Sequence, residues 1–308
     1  MNILVAGELN PDLILCNCQS FPAPGKEVLV EDLHLTLGSS SAICAVQFVR
    51  LNNHVAFAAN VGADIWGDFC LSALRQAGLD VSLVNQRSDL KTGITVSITS
   101  PADRALITYP GAMASLRPED LPGGLFSGFR HFHVSSYFLQ EGLRPRLKNL
   151  FAEARANGVS TSLDTGYDPT GEWSRELIET LEEVDVFLPN QTEIREITRC
   201  GDVVEGLRKL DNGHTLVVGK LGAEGCISLA GGQTVKVDAW PVEVRDTTGA
   251  GDSFNAGFLH AWLRGRPVRD SLSFAAACGA LSTRGLGGTA TQPTEEEAEN
   301  FIHAQTGH

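Results

Sequence analysis

The sequence predicts an α/β fold in which a mostly parallel central sheet carries helices on both faces and a small β-sheet forms a lid. Three observations indicate this fold. The chain has 308 residues, enough for one large domain with or without an appendage. From His131 onward, short Val- and Leu-rich strands alternate with helical patterns, as is typical of parallel sheets covered on both sides. Two β-rich patches interrupt this order earlier in the chain and are too long for simple loops.

The first elements combine a buried strand with the first β-rich patch. An apolar strand over 3–6 ends at Gly7, and β-rich segments over 13–15 and 27–37 flank a Pro- and Gly-rich turn. The elements that follow are, in order, a helix after Gly38, a strand over 54–59, a helix ending near Ala77, and strands over 93–99 and 104–109 joined by a turn at Ser100-Pro-Ala-Asp103.

We assign the whole chain, 1–308, to one domain whose lid comprises about 11–37 and 91–112. A lid of this kind exposes apolar faces and strand edges, which favour pairing with a second copy of the chain. We therefore expect a homodimer that forms through the lid.

The second half of the chain carries the strand and helix alternation. The predicted strands cover 132–135, 159–163, 186–188 and 216–218, and the predicted helices cover 147–156, 172–181 and 203–210. A hairpin over 225–230 and 234–238 follows, and then a helix that opens after Gly251 and a second helix rich in small residues.

Composition restricts the partners of the protein. Lys and Arg number 24 against 37 Asp and Glu, and the net charge of −13 argues against nucleic acid or an acidic membrane as main partner. The seven cysteines form no zinc-type set and indicate reduced thiols in a cytoplasmic protein. No apolar stretch approaches ~20 residues, so no membrane span is expected.

The segment Asp246-Thr-Thr-Gly-Ala-Gly-Asp252 is the most informative motif of the chain. Backbone N–H groups of Gly249, Ala250 and Gly251 lie where a helix begins, and such groups bind anions. Asp252 follows directly and could take a proton from a hydroxyl that attacks a bound phosphoryl group. An ordinary helix cap with an acidic first turn explains the same residues. The local pattern leaves both interpretations open.

The longer segment D-T-T-G-A-G-D-S-F-N-A-G-F, which begins at Asp246, resembles the second signature of the ribokinase-like (PfkB) carbohydrate kinases. The resemblance implies a ribokinase-like fold and an ATP-dependent kinase that phosphorylates a hydroxyl of a small sugar or sugar acid. It implies that Asp252 is the catalytic base and that the amides of Gly249, Ala250 and Gly251 form the anion hole for the transferred γ-phosphate.

The acceptor site of the family maps onto the first third of the chain. Asp12 lies just past the first strand, at the edge where parallel sheets bind ligands, although an Asn-Pro-Asp turn explains it equally from the residues alone. The resemblance makes Asp12 the sugar-binding aspartate. Gly38 and Ser39 stand in the first signature and are expected to contact the substrate, while Ile43 replaces the usual asparagine.

Two further residues are candidates for the acceptor site. Arg104 could hold a carboxylate, as in ketodeoxygluconate kinases. His133 shares a strand face with His131, and we interpret it as packed or substrate-lining rather than metal-binding.

The nucleotide and Mg²⁺ candidates lie in the second half. Asn190 and Glu193 match the N-x-x-E motif, in which Asn190 binds the nucleotide and Glu193 holds Mg²⁺ through water, and they also fit an ordinary capping box. Lys220, Gly222 and Gly225 resemble the nucleotide-binding turn of the family.

The last loop of the chain resembles the segment that borders adenine in the family and that completes a monovalent-cation site. Gly287 is accordingly expected to contact the nucleotide. Asp246, Thr248 and Thr291 are candidates for binding K⁺.

Two other functions remain open at this point. The same family includes nucleoside kinases, and a stacking aromatic lid would favour one, but the lid patches offer only Phe21 and Tyr109. A non-catalytic sugar sensor of the same fold is consistent with the altered first signature, whereas the intact Asp252 opposes it.

Overall fold

The protein is described by a computed structural model that covers residues 1–99 and 104–307, with the side chain of Arg104 outside the described part. The turn predicted at Ser100-Pro-Ala-Asp103 also lies outside it. The strands among the described residues are β1 (Asn2–Ala6), β2 (Pro11–Cys16), β3 (Asp32–Leu37), β4 (His54–Gly62), β5 (Asp80–Arg87), β6 (Ile94–Thr99), β7 (Arg104–Tyr109), β8 (His131–Val134), β9 (Ser160–Leu163), β10 (Val186–Phe187), β11 (Leu216–Lys220), β12 (Cys226–Ala230) and β13 (Gln233–Val237).

The larger sheet is mostly parallel. Its strand order is β13-β12-β11-β10-β9-β8-β1-β4-β5, and every pair from β11 to β5 is parallel. The hairpin of β12 and β13 adds two antiparallel strands at one edge. Ile3 pairs with His131 on one side and Val55 on the other, which places β1 in the interior of the sheet.

Helices cover both faces of this sheet. They are α1 (Ser40–Arg50), α2 (Ile65–Gln76), α3 (Arg144–Ala156), α4 (Arg175–Leu181), α5 (Gln191–Thr198), α6 (Val203–Leu210), α7 (Ala250–Leu263), α8 (Val268–Ser282) and α9 (Glu295–Thr306). Because side chains alternate along a strand, Leu4 joins the core beneath α3 and Ile3 joins the core beneath α1, α7 and α8. The predicted α/β fold with helices on both faces is confirmed.

A separate four-stranded sheet has the order β3-β2-β6-β7. One of its faces is polar around the row formed by Thr36, Asp12, Thr95 and Thr108. The next row, on the opposite face, is apolar: Leu35, Leu13, Val96 and Ile107. Ile107 is 62% exposed, so this outer apolar face is open to solvent.

Several elements differ from the sequence-based prediction. The strand β5 was not predicted, since it lies at the sheet edge and its residues are mostly half-buried or exposed. The strand predicted to begin at residue 27 begins at Asp32. Helix α3 begins at Arg144, three residues before the predicted start at residue 147. Pro145 is compatible with this earlier start, because proline fits the first turn of a helix. No helix among the described residues is both long and apolar enough to span a membrane.

Candidate active site

A cavity of about 900 Å³ lies between the small sheet and the carboxyl ends of the parallel strands. The polar residues at its floor follow the ends of consecutive strands in the sheet, as is usual for ligand sites in such sheets. They are Glu8 after β1, Ser136 after β8, Asp164 after β9, Asn190 after β10 and Lys220 at the end of β11. Asp12 and Thr95 line the opposite side, on the polar face of the small sheet.

The start of α7 borders this cavity, as the motif predicts. Gly249 caps the helix with a φ of 73°, and a Cβ built on it would lie 2.7 Å from Cα of Gly288 and 2.8 Å from Cγ2 of Ile43. Both the conformation and the space therefore require glycine. The Ala250 N–H donates to the Thr247 carbonyl at 3.3 Å, so it is less available to a ligand than a free first-turn amide.

Asp252 lies in the first turn of α7 and lines the same cavity. Burial raises its pKa well above the usual aspartate value, and the nearby carboxylates of Asp164 and Glu8 raise it further. Lys220 and a hydrogen bond from Ser40 act in the opposite direction. A carboxylate with a raised pKa is a stronger base once it has lost its proton.

A buried ion pair stands next to Asp252. Lys220 Nζ lies 2.6 Å from Asp164 Oδ2 and donates to Asn255 Oδ1 at 3.1 Å, while the Asn255 amide donates to Asp164. Burial alone would raise the pKa of Asp164, but Lys220 lowers it below its usual value. Burial likewise opposes the charge on Lys220, whereas Asp164 and Glu193 hold its pKa above the usual value. Both groups are therefore charged at neutral pH.

Asn190 and Glu193 form the predicted capping box and also line the cavity. Asn190 Oδ1 accepts from the N–H groups of Thr192 and Glu193 at 2.9 Å each. Glu193 accepts from Asn190 N and Nδ2 at 2.7 Å each. Burial, followed by the charge of Asp164, raises the pKa of Glu193 to about 7. The motif therefore forms the capping box. Because both residues also line the cavity, they are in addition placed to contact a ligand.

Asp12 projects from β2 into the cavity and is oriented by its neighbours. Asn10 Nδ2 donates to Asp12 Oδ1 at 3.2 Å and to Thr95 Oγ1 at 3.3 Å. Gly38 packs directly against this carboxylate, since a Cβ built on Gly38 would lie 2.1 Å from Asp12 Oδ1. Ser39 lines the cavity and caps α1, with its hydroxyl accepting from Ala42 N at 3.0 Å.

Glu8 is a site residue that the sequence analysis missed. It is buried at the cavity floor and accepts hydrogen bonds from Ser41 N at 3.1 Å, Ser41 Oγ at 2.7 Å, Ser136 Oγ at 3.0 Å and Gln140 Nε2 at 3.0 Å. Burial raises its pKa in spite of these bonds. The signal was available, because Asp164 comes directly after a predicted apolar strand and Glu8 follows another after a single glycine.

A second cavity, of about 500 Å³, lies on the other side of the α7 turn. Its walls are largely apolar and include Trp240, Val242, Phe254 and Ala276. Gly222, Gly225 and Ala250 also line it, so Gly225 and Ala250 face this cavity and not the larger one. The residues that line both cavities are Lys220, Gly222, Thr247 and Gly251. The two cavities therefore meet at the 249–252 turn and Lys220.

A model of the pfkB family of carbohydrate kinases matches residues 1–295, a range that includes all the site residues above. The chain belongs to this family. The family resemblance drawn from the second signature is thereby confirmed.

The relatives of this pfkB kinase carry names that indicate different acceptors. It is 26% identical to ribokinase of Haemophilus influenzae over 309 residues, covering 97% of this chain and 98% of the ribokinase. It is 28% identical to a nucleoside kinase of Methanothermobacter thermautotrophicus, covering 100% and 97%. The structure of Arabidopsis thaliana ribokinase complexed with ribose and ATP has the same fold, with a TM-score of 0.85, 22% identity and 98% coverage of both chains.

Of the two interpretations of His133, packed or substrate-lining, the structure of this pfkB kinase agrees with packing, and His133 does not line the larger cavity. His133 is fully buried, and its ring nitrogens lie 2.7 Å from Ser162 Oγ and 2.8 Å from Ser135 Oγ. Because β8 lies inside the sheet and its two histidines are two residues apart, both point into the same packed layer, where each contacts Ser162 Oγ. Burial lowers the pKa of His133 to about 4, so the ring is neutral.

Three of the residues predicted to form the K⁺ and adenine loop lie together. Thr248 N and Oγ1 donate to Asp246 Oδ1 at 2.9 and 2.7 Å, and Gly287 N donates to Asp246 Oδ2 at 2.8 Å. The Thr291 hydroxyl donates instead to the Ser282 carbonyl at 2.9 Å. Arg104, the remaining acceptor candidate, cannot be placed, because its side chain lies outside the described part.

Proposed function

We propose that this pfkB kinase transfers the γ-phosphate of ATP to a hydroxyl of a small uncharged sugar. The observation that carries the proposal is the meeting of two unlike cavities at the 249–252 turn. The larger cavity, with Asp12 and other polar groups, suits a sugar, and the apolar one suits a nucleotide base. The β- and γ-phosphates would then cross the junction, where the Gly249 and Gly251 amides and Lys220 lie.

Asp252 is the proposed base in this reaction. It takes the proton of the acceptor hydroxyl as the oxygen forms a bond to the γ-phosphorus, and the bond from that phosphorus to the β–γ bridging oxygen breaks. The products are a sugar phosphate, ADP and a proton. The amides at the start of α7 stabilise the negative charge on the transferred group, because their dipoles already point at it.

The carboxylates around the junction fit a bound Mg²⁺. Asp164, Glu193 and Asp252 lie close enough that Asp164 raises the pKa of the other two, and a divalent cation would relieve this repulsion. Glu193 with Asn190 would hold the ion through water, and Mg²⁺ would neutralise charge on the β- and γ-phosphates. No group of three or more His, Cys, Asp or Glu side chains that could chelate a metal by itself occurs in the described part of the chain.

The charge of the larger cavity favours an uncharged acceptor over a sugar acid or a sugar phosphate. Its lining carries five carboxylates: Glu8, Asp12, Asp164, Glu193 and Asp252. Of the side chains that the structure describes, Lys220 is the only Lys or Arg in this lining, and Asp164 already pairs with it. Among the described side chains, an anionic acceptor would therefore meet five acidic groups and one cation that is already paired.

A nucleoside acceptor is the second candidate, and one feature besides the nucleoside kinase relative favours it. Tyr167 lines the larger cavity and is 71% exposed, so its ring could stack on a base.

The small sheet is proposed to close over whichever acceptor is bound and exclude water, which would otherwise accept the phosphate.

A panel of acceptors tests the proposal. We expect ADP release from ATP and Mg²⁺ with pentoses or hexoses, and less with sugar acids, sugar phosphates or nucleosides. Activity confined to nucleosides would establish the second candidate. Binding of sugars without ADP release across the panel would identify a non-catalytic sensor and overturn both kinase assignments.

A further inference from the structure

We propose that the phosphoryl donor site accepts guanine and hypoxanthine nucleotides as well as ATP. The inference rests on the proposed function, since it concerns the same two-cavity site. It comes from the chemistry of the smaller cavity, where the described side chains that would face a base are mostly apolar and few of them are free to form hydrogen bonds.

The walls of this cavity come from three elements. The segment between β13 and α7 contributes Trp240, Pro241, Val242 and Val244, and Val244 is 55% exposed, as expected of a rim that a ligand covers. Phe254 of α7 and Ala276 and Ala280 of α8 form the floor. A purine ring placed here would be held mainly by dispersion and by burial of its faces.

The polar side chains of the lining either form hydrogen bonds to the protein main chain or lie away from the expected position of the purine. Within the described residues they are Lys220, Trp240, Thr247 and Thr283. Trp240 Nε1 donates to the Ser273 carbonyl at 3.0 Å, and Thr283 Oγ1 donates to the Ala280 carbonyl at 2.7 Å. Lys220 and Thr247 lie at the junction with the larger cavity, where the phosphates are expected.

Main-chain hydrogen bonds also fix two of the turns that line this cavity. The Thr283 carbonyl accepts from Arg245 N at 2.9 Å and Asp246 N at 3.1 Å. The Gly225 N–H donates to the Gly222 carbonyl at 3.0 Å, and the Gly225 carbonyl accepts from Leu221 N at 2.8 Å. These bonds hold the two turns in place around the cavity, whose described side chains offer little to recognise the edge of a purine by hydrogen bonding.

The chemistry of the walls sets the size of the expected discrimination. Adenine and guanine differ at C6, where an amino group replaces an oxo group, and at C2, where guanine carries an amino group. A site built to hydrogen-bond a particular group rejects an analogue without it by about 10⁴–10⁵ in kcat/KM, whereas an apolar pocket discriminates by only about 10–200. The mostly apolar side chains of this cavity place it with the apolar pockets, for which the smaller discrimination is expected.

The test measures kcat/KM for ATP, GTP and ITP with one acceptor that is active in the panel. ITP separates the C6 change from the C2 amino group. We expect GTP and ITP to fall within about 200-fold of ATP. A larger preference for ATP would overturn the inference while leaving the kinase assignment intact. Absence of turnover with ATP itself would instead contradict the proposed function.

A filling variant shows that the measured donors use this cavity. Ala276→Leu adds three carbons to the floor and should raise KM for ATP, GTP and ITP by similar factors, with KM for the acceptor unchanged. A variant that affected ATP but left GTP unchanged would mean that GTP binds elsewhere, and would also overturn the inference. Circular dichroism and Tm of the variant establish that it is folded.

Discussion

Ser39 and Ile43 show how single residues accommodate departures from the family pattern. Ser39 has a φ of 72°, a conformation that favours the glycine usual in the family, and its hydroxyl accepts from Ala42 N and donates to the Glu8 carbonyl. Ile43 replaces an asparagine and packs against Gly249 and Gly288. Ser39 thus supports the start of α1 and the loop after β1, whereas Ile43 supports the 249–252 turn. Neither effect was foreseen, because both depend on contacts across the fold.

Asp252→Asn tests the proposed base directly. The amide keeps the size of the side chain but cannot accept the proton, so we expect kcat to fall by about 10²–10⁴ while KM for ATP changes little. Asp270→Asn is the matched control, since Asp270 is an exposed aspartate in the first turn of the neighbouring helix α8. Full turnover in Asp252→Asn would exclude the role.

The raised pKa of Asp252 predicts opposite effects of pH on activity and stability. The base must be deprotonated, so kcat/KM should fall as the pH drops through a pKa that lies well above the usual aspartate value of about 3.9. Because folding raises this pKa, the ionised group destabilises the native state increasingly as the pH rises above that usual value.

Asp252→Asn removes this cost of ionisation. The variant should therefore have a higher Tm than the wild type at pH 7.5, by about 2–4 °C for each kcal/mol, and the difference should shrink near pH 4. Thermal unfolding at the two pH values in Mg²⁺-free buffer measures it. A variant that melts at or below the wild-type Tm at pH 7.5 would show that the carboxylate is not destabilising.

Among the secondary-structure elements, the ends of β9 and β11 meet the side of α7 through Asp164, Lys220 and Asn255. Sequence patterns predicted these strands and the helix, and the position of Lys220 matched a family turn. The pairing itself was not predictable, since Asp164 and Lys220 are 56 residues apart and meet only because β10 alone separates their strands.

A pair of variants separates the structural role of Lys220 from its role in catalysis. Lys220→Met leaves Asp164 charged and buried without its cation, and should lower the free energy of unfolding by about 3–5 kcal/mol. The double variant Asp164→Asn/Lys220→Met removes both charges and should recover most of this stability. Its kcat should nevertheless stay low, because the ammonium beside the anion-binding turn is gone.

Urea unfolding and steady-state kinetics measure the two effects on the same samples. Wild-type turnover in the double variant would restrict Lys220 to a structural role. Loss of turnover together with restored stability would show that the charges of this pair act in catalysis and not only in folding.

For the whole molecule, the small sheet presents two unlike faces. The polar face meets the cavity, and the apolar outer face contains Leu33, Leu35 and Ile107, which are 52%, 39% and 62% exposed. We propose that a second copy of the chain covers this face and forms a homodimer, since exposed apolar sheets of this kind are otherwise prone to unspecific association.

Ile107→Asp tests the dimer. A charge on this apolar face, at the β7 end of the row, should produce monomers, because its burial without a partner is costly. Light scattering coupled to size exclusion gives the mass of each species. Lys236→Asp, on the distant strand β13, is the control and should leave the mass unchanged. A wild-type protein that is monomeric at micromolar concentration would contradict the proposal.

The sequence by itself determined most of the strand and helix order, apart from β5 and α9, and the helix start at 249–252, because local periodicity and turn chemistry encode them. Only the tertiary structure decided which side chains share a site. It buried His133, brought Glu8 and Asp164 beside Asp252, and divided the ligand space into a polar and an apolar cavity. The physical reason is that these contacts depend on strand order in the sheet, which joins residues far apart in the chain.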